Sequence, residues 1–308
     1  MLYLNKVSSY VPDSCKSLQD LVAENIITSA EAAIYARIYG LNRIPIAKDE
    51  DIVGLMTKSI TKVLSDSDQK NVKFLIHTHT ARVLICFNES AAYLAARKLK
   101  LNNAQVFGVT LNNCASTLVT LILAENLLKN YDKKSQAIII TADKTFTPIL
   151  KHIPGTSVTA EASAAIMVGR SGTNNKLIAV KQNIYGAYSA GVWQSVTNDL
   201  MFEALYAKLV ADTIHVLLAD TGLTLNQIKL ILPHNINLVS WKKVAKLLKI
   251  SLEKIYLQNI KTTAHCFGAD NFINYLSAKE EGLLLPGDLY LMVAVGLGAT
   301  FAVALFQH

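Results

Sequence analysis

The stretch that best indicates the fold is EGLLLPGDLYLMVAVGLGATFAVALF, which spans residues 281–306 near the end of the chain. Its run LYLMVAV at 289–295 is apolar throughout, as expected of a strand that is buried on both faces. Gly296 and Gly298 flank Leu297 between this run and a second strand-like run. Glycine at such a place marks either a close approach of the backbone to a ligand or a plain turn between two strands.

Similar apolar runs recur along the whole chain and alternate with helical patterns. The predicted strands lie at 73–78, 105–111, 136–142, 163–169, 230–235 and 289–295. The predicted helices lie at 50–65, 89–100, 115–130, 199–221, 238–249 and 269–281. This alternation predicts an α/β fold.

The order of these elements repeats between the two halves of the chain. Each half contains a helix, a strand, a further helix, a sharp polar turn, a long helix and a central strand. An internal duplication of roughly 150 residues explains this order, and we expect two similar sheets that share a helical layer. The turn cluster GRSGTNNK at 169–176 marks the boundary, so the predicted halves are 1–172 and 173–308.

The composition excludes several classes of protein. The 308 residues are 51% hydrophobic and 17% charged, which is unlike a disordered chain. The four cysteines form no CxxC pair, so neither a thiolate zinc site nor a disulfide framework is expected. No apolar run reaches the roughly 18 residues of a membrane span, and no signal peptide is evident, so we expect a cytoplasmic protein that does not enter the membrane. The net charge of +7 suggests an acidic partner, but no basic and aromatic stripe predicts nucleic-acid binding.

Cys114 is the candidate nucleophile. It lies in LNNCASTLV, after a strand-like run and before a long apolar helix. The free N–H groups and the positive dipole end of that helix favour a thiolate and could stabilise an oxyanion. The alternative is a small buried apolar residue, because a catalytic cysteine also needs a histidine from elsewhere in the chain.

Two histidines of the second half are candidate partners of Cys114. His234 follows the strand-like run LILP, and His265 occupies the turn that corresponds to the turn of Cys114. If the halves are related by pseudo-symmetry, the two turns meet and the three side chains come together. His77 and His79 occupy the first-half position of His234 and could be an alternative base or a metal pair, but no complete set of metal ligands accompanies them.

The motifs NNCAST, PHNIN and the stretch 281–306 resemble the β-ketoacyl-acyl-carrier-protein synthase III branch of the thiolase-fold condensing enzymes. The resemblance implies a layered αβαβα fold and a catalytic set of Cys114, His234 and His265. His265 stands where this branch usually has asparagine, within Gly-Asn-Thr-Ser. Acyl thioesters of coenzyme A or of a carrier protein are the implied substrates, no cofactor or metal is implied, and the implied assembly is a homodimer or a heterodimer with a paralogue.

The same resemblance assigns further residues. The backbone amides of Cys114 and Leu297 would form the oxyanion hole. The residues expected to bind substrate are Phe87, Asn237, Gly298, Arg37 and Arg43, with Phe87 reaching the acyl pocket of a partner subunit. Lys242, Lys243 and Lys246 would receive an acidic carrier protein, although a solvated helix face explains these lysines equally well.

These residues predict a ping-pong acyl transfer in specialised natural-product or fatty-acid-like biosynthesis. Cys114 takes the acyl group as a thioester, and a carbanion from a malonyl or β-ketoacyl thioester then accepts it in a Claisen condensation. One alternative is transfer to a hydroxyl or an amine without decarboxylation, with His234 as general base. Another is a catalytically silent subunit of a heterodimeric ketosynthase.

Overall fold

The computed structural model describes residues 1–64, 69–82, 84–85 and 89–308. Its strands are β1 Leu2–Tyr10, β2 Cys15–Ser17, β3 Arg43–Pro45, β4 Val72–Thr78, β5 Gln105–Val109, β6 Gln136–Ala142, β7 His152–Ile153, β8 Ser157–Val158, β9 Ser163–Gly169, β10 Lys176–Ile184, β11 Ile228–Pro233, β12 Leu289–Gly296 and β13 Thr300–Gln307. Its α-helices are α1 Leu18–Ala23, α2 Ser29–Ile34, α3 Ile52–Leu64, α4 Ala91–Lys98, α5 Ser116–Leu128, α6 Pro148–Lys151, α7 Val196–Thr221, α8 Leu238–Leu248, α9 Ile260–Thr263 and α10 Asp270–Glu280.

Nine of these strands form one mixed sheet, in the order β11-β12-β13-β10-β1-β9-β6-β4-β5. The second half repeats the order of the first: a parallel pair, β4–β6 or β11–β12, is followed by two antiparallel neighbours. The predicted division at residues 172 and 173 lies in the loop between β9 and β10 and stays a prediction.

We expected two similar sheets, whereas the structure has a single sheet in which the strands of both halves are joined. The N-terminal end of β1 pairs with β10 at Leu2–Leu177 and Tyr3–Lys176, and this short contact joins the two halves into a single sheet. The chain passes directly from β9 to β10 through a short loop, so the first strand of the second half starts beside the first strand of the first half.

Helices cover this sheet in three layers. The central helix α5 contacts strands of both halves, among them β6 and β10, whereas α3 packs on β9 and α7 packs on β10 and β13 from outside. Helix α5 is apolar almost all round, and Leu118, Leu121 and Leu128 are fully buried, because it has sheet on two sides. The resulting αβαβα arrangement confirms the predicted fold class.

The predicted helices and strands all occur, with ends shifted by a few residues. The predictions missed β1 and β10, because their sequences, LYLNKVSSY and KLIAVKQNI, mix polar and apolar residues without clear alternation. In β1 the polar Ser8 is buried, and its hydroxyl donates to the Ser59 carbonyl of α3 at 2.7 Å. No helix in the described part of the chain combines the length and apolarity that crossing a membrane requires.

Candidate active site

The nucleophile candidate Cys114 lies in a short 3-10 segment, Asn113–Ala115, immediately before α5. Its side chain is 7% exposed and lines a cavity of about 210 Å³ that opens to the surface. The sulfur therefore lies near the positive end of a buried helix and remains accessible to a small substrate.

His265 and Asp270 complete a hydrogen-bonded chain behind the sulfur. Cys114 Sγ lies 3.3 Å from His265 Nε2, and His265 Nδ1 donates to Asp270 Oδ2 at 2.6 Å. Both His265 and Asp270 are buried. The three side chains have the arrangement of nucleophile, base and orienting carboxylate that activates a thiol.

Asp270 is held in place by the backbone around it. Its carboxylate accepts from the Asn235 amide at 2.6 Å and from the Cys266 amide at 2.7 Å. The sequence predictions missed Asp270, although it stands five residues after His265, because an acidic residue in the first turn of a helix is common for electrostatic reasons alone.

Charge interactions make His265 a stronger base than an ordinary histidine. Burial disfavours its charged ring, but the Asp270 carboxylate and the Cys114 sulfur outweigh burial and raise the pKa of His265. The arrangement therefore favours a proton on the imidazole of His265 at neutral pH.

His234 has a different environment in the same cavity. Its ring centroid lies 5.9 Å from that of His265, and its Nε2 lies 2.7 Å from the Tyr206 hydroxyl of α7. Its Nδ1 lies 3.3 Å from the Val293 carbonyl oxygen. Burial and the neighbouring His265 charge lower the pKa of His234 to about 3, so this ring is neutral at neutral pH. Sequence reasoning missed Tyr206, which lies inside a long helix with no local motif.

Two glycines allow the loops of the two halves to meet at this site. A Cβ on Gly296 would lie 1.9 Å from the Asn112 carbonyl oxygen, and a Cβ on Gly268 would lie 2.4 Å from Thr117 Oγ1. The first contact brings the turn of Leu297 to the loop of Cys114, and the second brings the turn of His265 to α5. Larger residues at either position would separate the nucleophile from its partners.

Thr80 approaches the sulfur from the first half of the chain. Its hydroxyl lies 3.6 Å from Cys114 Sγ, and its backbone amide donates to the buried Asp143 at 2.8 Å. The Ala81 amide donates to the same carboxylate oxygen at 2.8 Å. Asp143 thereby holds the segment after β4 against the nucleophile.

The cavity brings together many of the predicted site residues. Those that line it are Cys114, His234, His265, Leu297, Asn237 and Lys243. The Asn237 side chain accepts from the Ser240 amide and donates to the Thr156 carbonyl, so it also caps α8. The Asn113 side-chain amide donates to the Leu297 carbonyl, which orients the turn that would supply the second oxyanion amide.

Other predicted residues lie away from the cavity lining. Arg37 is exposed, and Arg43 donates to the Asp13 carbonyl at 2.6 Å. Gly298 lies in the turn between β12 and β13 with a φ of +125°, and Lys242 and Lys246 are exposed on α8. Phe87 lies outside the described residues.

His77 and His79 have structural surroundings in the first half. Their ring centroids are 4.5 Å apart; His77 Nε2 contacts the Ala142 carbonyl, and His79 Nδ1 contacts the Ala81 carbonyl. Within the described ranges, no group of three or more His, Cys, Asp or Glu side chains has an arrangement that could hold a metal ion.

Comparison with known proteins finds similarity to one group of enzymes. Residues 218–308 match the family described as 3-oxoacyl-[acyl-carrier-protein (ACP)] synthase III C terminal. The beta-ketoacyl-[acyl-carrier-protein] synthase III of Clostridium novyi (strain NT) is 24% identical over 323 residues, covering 99% of this chain and 98% of its own length. The enzyme of the same name from Aquifex aeolicus (strain VF5) is 24% identical over 310 residues, covering 97% of each chain.

Solved structures share the fold over the whole chain. The synthase III from Aquifex aeolicus VF5 superposes with a TM-score of 0.82 at 21% identity and covers 100% of both chains. ChlB3, described as an acyltransferase, superposes with a TM-score of 0.86 at 15% identity and covers 99% of this chain and 97% of its own. The thiolase-like fold and the expectation of an acyltransferase of the condensing-enzyme type are thereby confirmed. The resemblance to the 3-oxoacyl-[acyl-carrier-protein] synthase III enzymes is thereby confirmed: the family match covers residues 218–308, and similarity to enzymes of that name extends over nearly the whole chain.

Proposed function

We propose that this protein transfers an acyl group from a thioester to an acceptor through a thioester on Cys114, with His265 and Asp270 as base and orienting carboxylate. The observation that carries the proposal is the continuous contact from Cys114 Sγ to His265 Nε2, 3.3 Å, and from His265 Nδ1 to Asp270 Oδ2, 2.6 Å. Such a chain of contacts activates a nucleophile and holds the base in the required tautomer.

In the first half-reaction the Cys114 thiolate attacks the carbonyl carbon of the donor thioester. The new C–S bond to Cys114 forms, the C–S bond of the donor breaks, and the leaving sulfur takes the proton from His265. The backbone amides of Cys114 and Leu297 are the proposed donors to the oxyanion. The donor is an acyl thioester of a carrier protein, which the names of the similar synthase III enzymes include, or of coenzyme A.

Acylation changes the proton affinity of His265. The Cys114 sulfur is one of the groups that raise its pKa, and the sulfur loses its charge when it becomes a thioester. The neutral ring can then take a proton from an acceptor hydroxyl or amine that attacks the acyl carbon. The C–S bond breaks, the thiolate reforms, and the proton on His265 restores the starting state.

This assignment makes His265 the base in place of His234. The Nε2 atom of His234 already contacts the Tyr206 hydroxyl at 2.7 Å, whereas His265 Nε2 faces the sulfur. Transfer to a hydroxyl or an amine needs one base beside the acyl group, which His265 supplies.

Claisen condensation is the second candidate, and the proximity of His234 and His265 favours it. In that reaction the malonyl C–CO₂⁻ bond breaks, carbon dioxide leaves, and the resulting carbanion attacks the acyl carbon. The enolate oxygen needs hydrogen-bond donors, so His265 would have to retain its proton and His234 would have to gain one at Nε2. Carbon dioxide release distinguishes this reaction from transfer to a hydroxyl or an amine.

The docking of a carrier protein is also a proposal. Lys243 lines the cavity, and Lys242 and Lys246 are exposed on the same helix, α8. Three neighbouring ammonium groups suit an acidic carrier that docks on the exposed face of α8 and delivers its thioester to the cavity. A dimer with Phe87 of one subunit near the pocket of the other stays a prediction.

The decisive experiment measures the intact mass of the protein after exposure to a panel of acyl thioesters, followed by a chase with amines, alcohols or a malonyl thioester. We expect an acyl adduct on the wild-type chain, none on Cys114→Ala, and loss of the adduct to an amine or an alcohol without carbon dioxide. Absence of any adduct would support a silent subunit and contradict the proposal. Carbon dioxide release with the malonyl thioester as the only productive acceptor would establish condensation instead.

A further inference from the structure

The donor and acceptor atoms around Tyr206 restrict the kind of acceptor that the cavity can hold. Tyr206 lines the cavity beside Cys114 and His265, and its hydroxyl lies 2.7 Å from His234 Nε2. Neither Tyr206 nor His234 belongs to the chain of contacts that activates the sulfur. Which of the two side chains donates the hydrogen bond between them therefore decides whether a donor or an acceptor remains for a second substrate.

The contact has one consistent polarity. His234 Nδ1 faces the Val293 carbonyl oxygen at 3.3 Å, and a carbonyl oxygen can only accept, so Nδ1 carries the proton. A neutral imidazole has one N–H, which leaves a lone pair on Nε2. The Tyr206 hydroxyl therefore donates its only proton to His234, and the remaining lone pairs of its oxygen are available as acceptors.

This side of the cavity consequently presents an acceptor atom and no proton. A second thioester carbonyl finds no hydrogen bond there, because a carbonyl oxygen also only accepts. An alcohol has one hydroxyl proton, and attack on the acyl group requires that proton at His265. A primary amine has two N–H groups, of which one can be held by the Tyr206 oxygen while the other is given to His265.

The wall of the cavity around Tyr206 also suits an amine. Asp199, Glu203 and Tyr206 follow one another at helical spacing on α7, and all three line the cavity. Lys243 of α8 also lines the cavity, so α7 contributes two carboxylates to the lining and α8 contributes one ammonium. The α7 carboxylates attract a cationic amine, and the proton that it must lose to react as the free base passes to one of them or to water.

Building on the proposed acyl transfer, we propose that the acyl acceptor is a primary amine and that the Tyr206 hydroxyl selects it. The amine lone pair attacks the acyl carbon, the C–N bond forms, and the C–S bond to Cys114 breaks. One amine proton passes to His265 Nε2 and the other remains hydrogen-bonded to the Tyr206 oxygen. The product is an amide, and the thiolate beside protonated His265 is restored.

The test compares matched acceptors on the acyl-enzyme. The protein is loaded from an acyl N-acetylcysteamine thioester and chased with hexylamine or hexanol, and the loss of the acyl mass and the products are measured. We expect the wild-type chain to react with the amine at least about tenfold faster than with the alcohol, above the background of Cys114→Ala. In Tyr206→Phe we expect the ratio of the amine rate to the alcohol rate to fall about tenfold, the loss typical of one buried hydrogen bond that only the amine makes.

Two controls separate selection from a general loss of structure. In Tyr206→Phe the rate of Cys114 acylation should fall clearly less than the rate of transfer to the amine, because Tyr206 is not a member of the Cys114–His265–Asp270 chain. Tyr188→Phe removes another tyrosine hydroxyl close by, from a ring that packs against Phe202 with centroids 5.1 Å apart, and should leave the ratio of amine to alcohol rates unchanged. Thermal unfolding checks that both variants fold.

The outcomes distinguish this inference from the proposed function. Three results would overturn the selection by Tyr206 while leaving the acyl transfer intact. They are an unchanged ratio of amine to alcohol rates in Tyr206→Phe, a wild-type preference for the alcohol, and an equal loss of acylation and transfer in Tyr206→Phe. If no acyl adduct forms, or if only the malonyl thioester reacts and carbon dioxide is released, the proposed acyl transfer itself fails and amine selection fails with it.

Discussion

His265 and His234 line the same cavity, but their surroundings give them opposite proton states. His265 lies between a buried carboxylate and a sulfur, which together raise its pKa. His234 lies between a carbonyl oxygen and a phenol, and burial lowers its pKa to about 3. The comparison shows that neighbouring groups, and not the residue type or the proximity of the rings, set the pKa of each histidine, and the proposed mechanism assigns the proton of the nucleophile to His265 on that basis.

Asp270→Asn should abolish most of the difference in pKa between the two histidines. We expect it to have the largest effect of the substitutions proposed for this comparison. The asparagine keeps the size of the side chain but removes the charge that raises the pKa of His265. We expect the rate of Cys114 acylation at pH 7 to fall about 100-fold. Alkylation of Cys114 by iodoacetamide should also slow near neutral pH, because a neutral ring no longer stabilises the thiolate.

A matched variant in the same helix tests whether this effect is specific. Asn271→Asp places a carboxyl group one residue further along, where the wild-type amide donates to the carbonyls of Leu232 and Val293 at 2.9 Å, and it leaves Asp270 in contact with His265. Even if that variant is less stable, its folded fraction should keep the wild-type pH profile of alkylation. An unchanged profile in Asp270→Asn would mean that Asp270 does not control His265.

His234→Asn tests whether His234 is neutral in the folded chain, through the pH dependence of the free energy of unfolding. In the unfolded chain His234 binds a proton below about pH 6.5, whereas the folded chain resists protonation until about pH 3. The stability that this histidine contributes is therefore present above pH 6.5 and is lost as the pH falls towards 3. Between pH 6.5 and 5 the wild-type chain should lose about 1.5 kcal/mol more free energy of unfolding than His234→Asn loses.

Urea unfolding at several pH values measures this difference. His215→Asn is the control, because His215 is exposed on α7 and loses little solvation on folding. If His234→Asn and the wild-type chain showed the same pH dependence of the unfolding free energy, His234 would not be held neutral and its contrast with His265 would disappear.

Sequence reasoning identified the two histidines but could not separate their roles. The repeated order of elements predicted that the turns of Cys114 and His265 meet, and the cavity contains both with His234. Asp270 and Tyr206 decide the proton states, yet neither carries a motif. The distance from Tyr206 to His234 depends on how α7 packs on the sheet, which periodicity does not specify.

The same limit applies to the fold and to the outer parts of the site. Strongly apolar elements such as α5 and β12 were predicted closely, because burial on both sides leaves a clear pattern. Strands β1 and β10 were missed because both mix polar and apolar residues without clear alternation, and in β1 the buried Ser8 is satisfied by a distant partner in α3. Arg37 and Arg43 were assigned by resemblance alone, and local contacts such as that of Arg43 with Asp13 are specific to this chain.

Thr80→Val tests how much a neutral group near Cys114 Sγ contributes to the acylation rate, in comparison with His265. It should have the smallest effect of these substitutions. The Thr80 hydroxyl lies 3.6 Å from Cys114 Sγ, further than the 3.3 Å of His265 Nε2, and it carries no charge. A weak neutral hydrogen bond of this kind is worth about 0.5–1 kcal/mol, so the acylation rate should fall about three- to fivefold. Thr80→Ser retains the hydroxyl and should stay near the wild-type rate. A loss as large as that of Asp270→Asn would mean that Thr80 and Asp143 of the first half control the reactivity of Cys114 together with His265. The comparison of the two histidines would then not suffice to explain how Cys114 is activated.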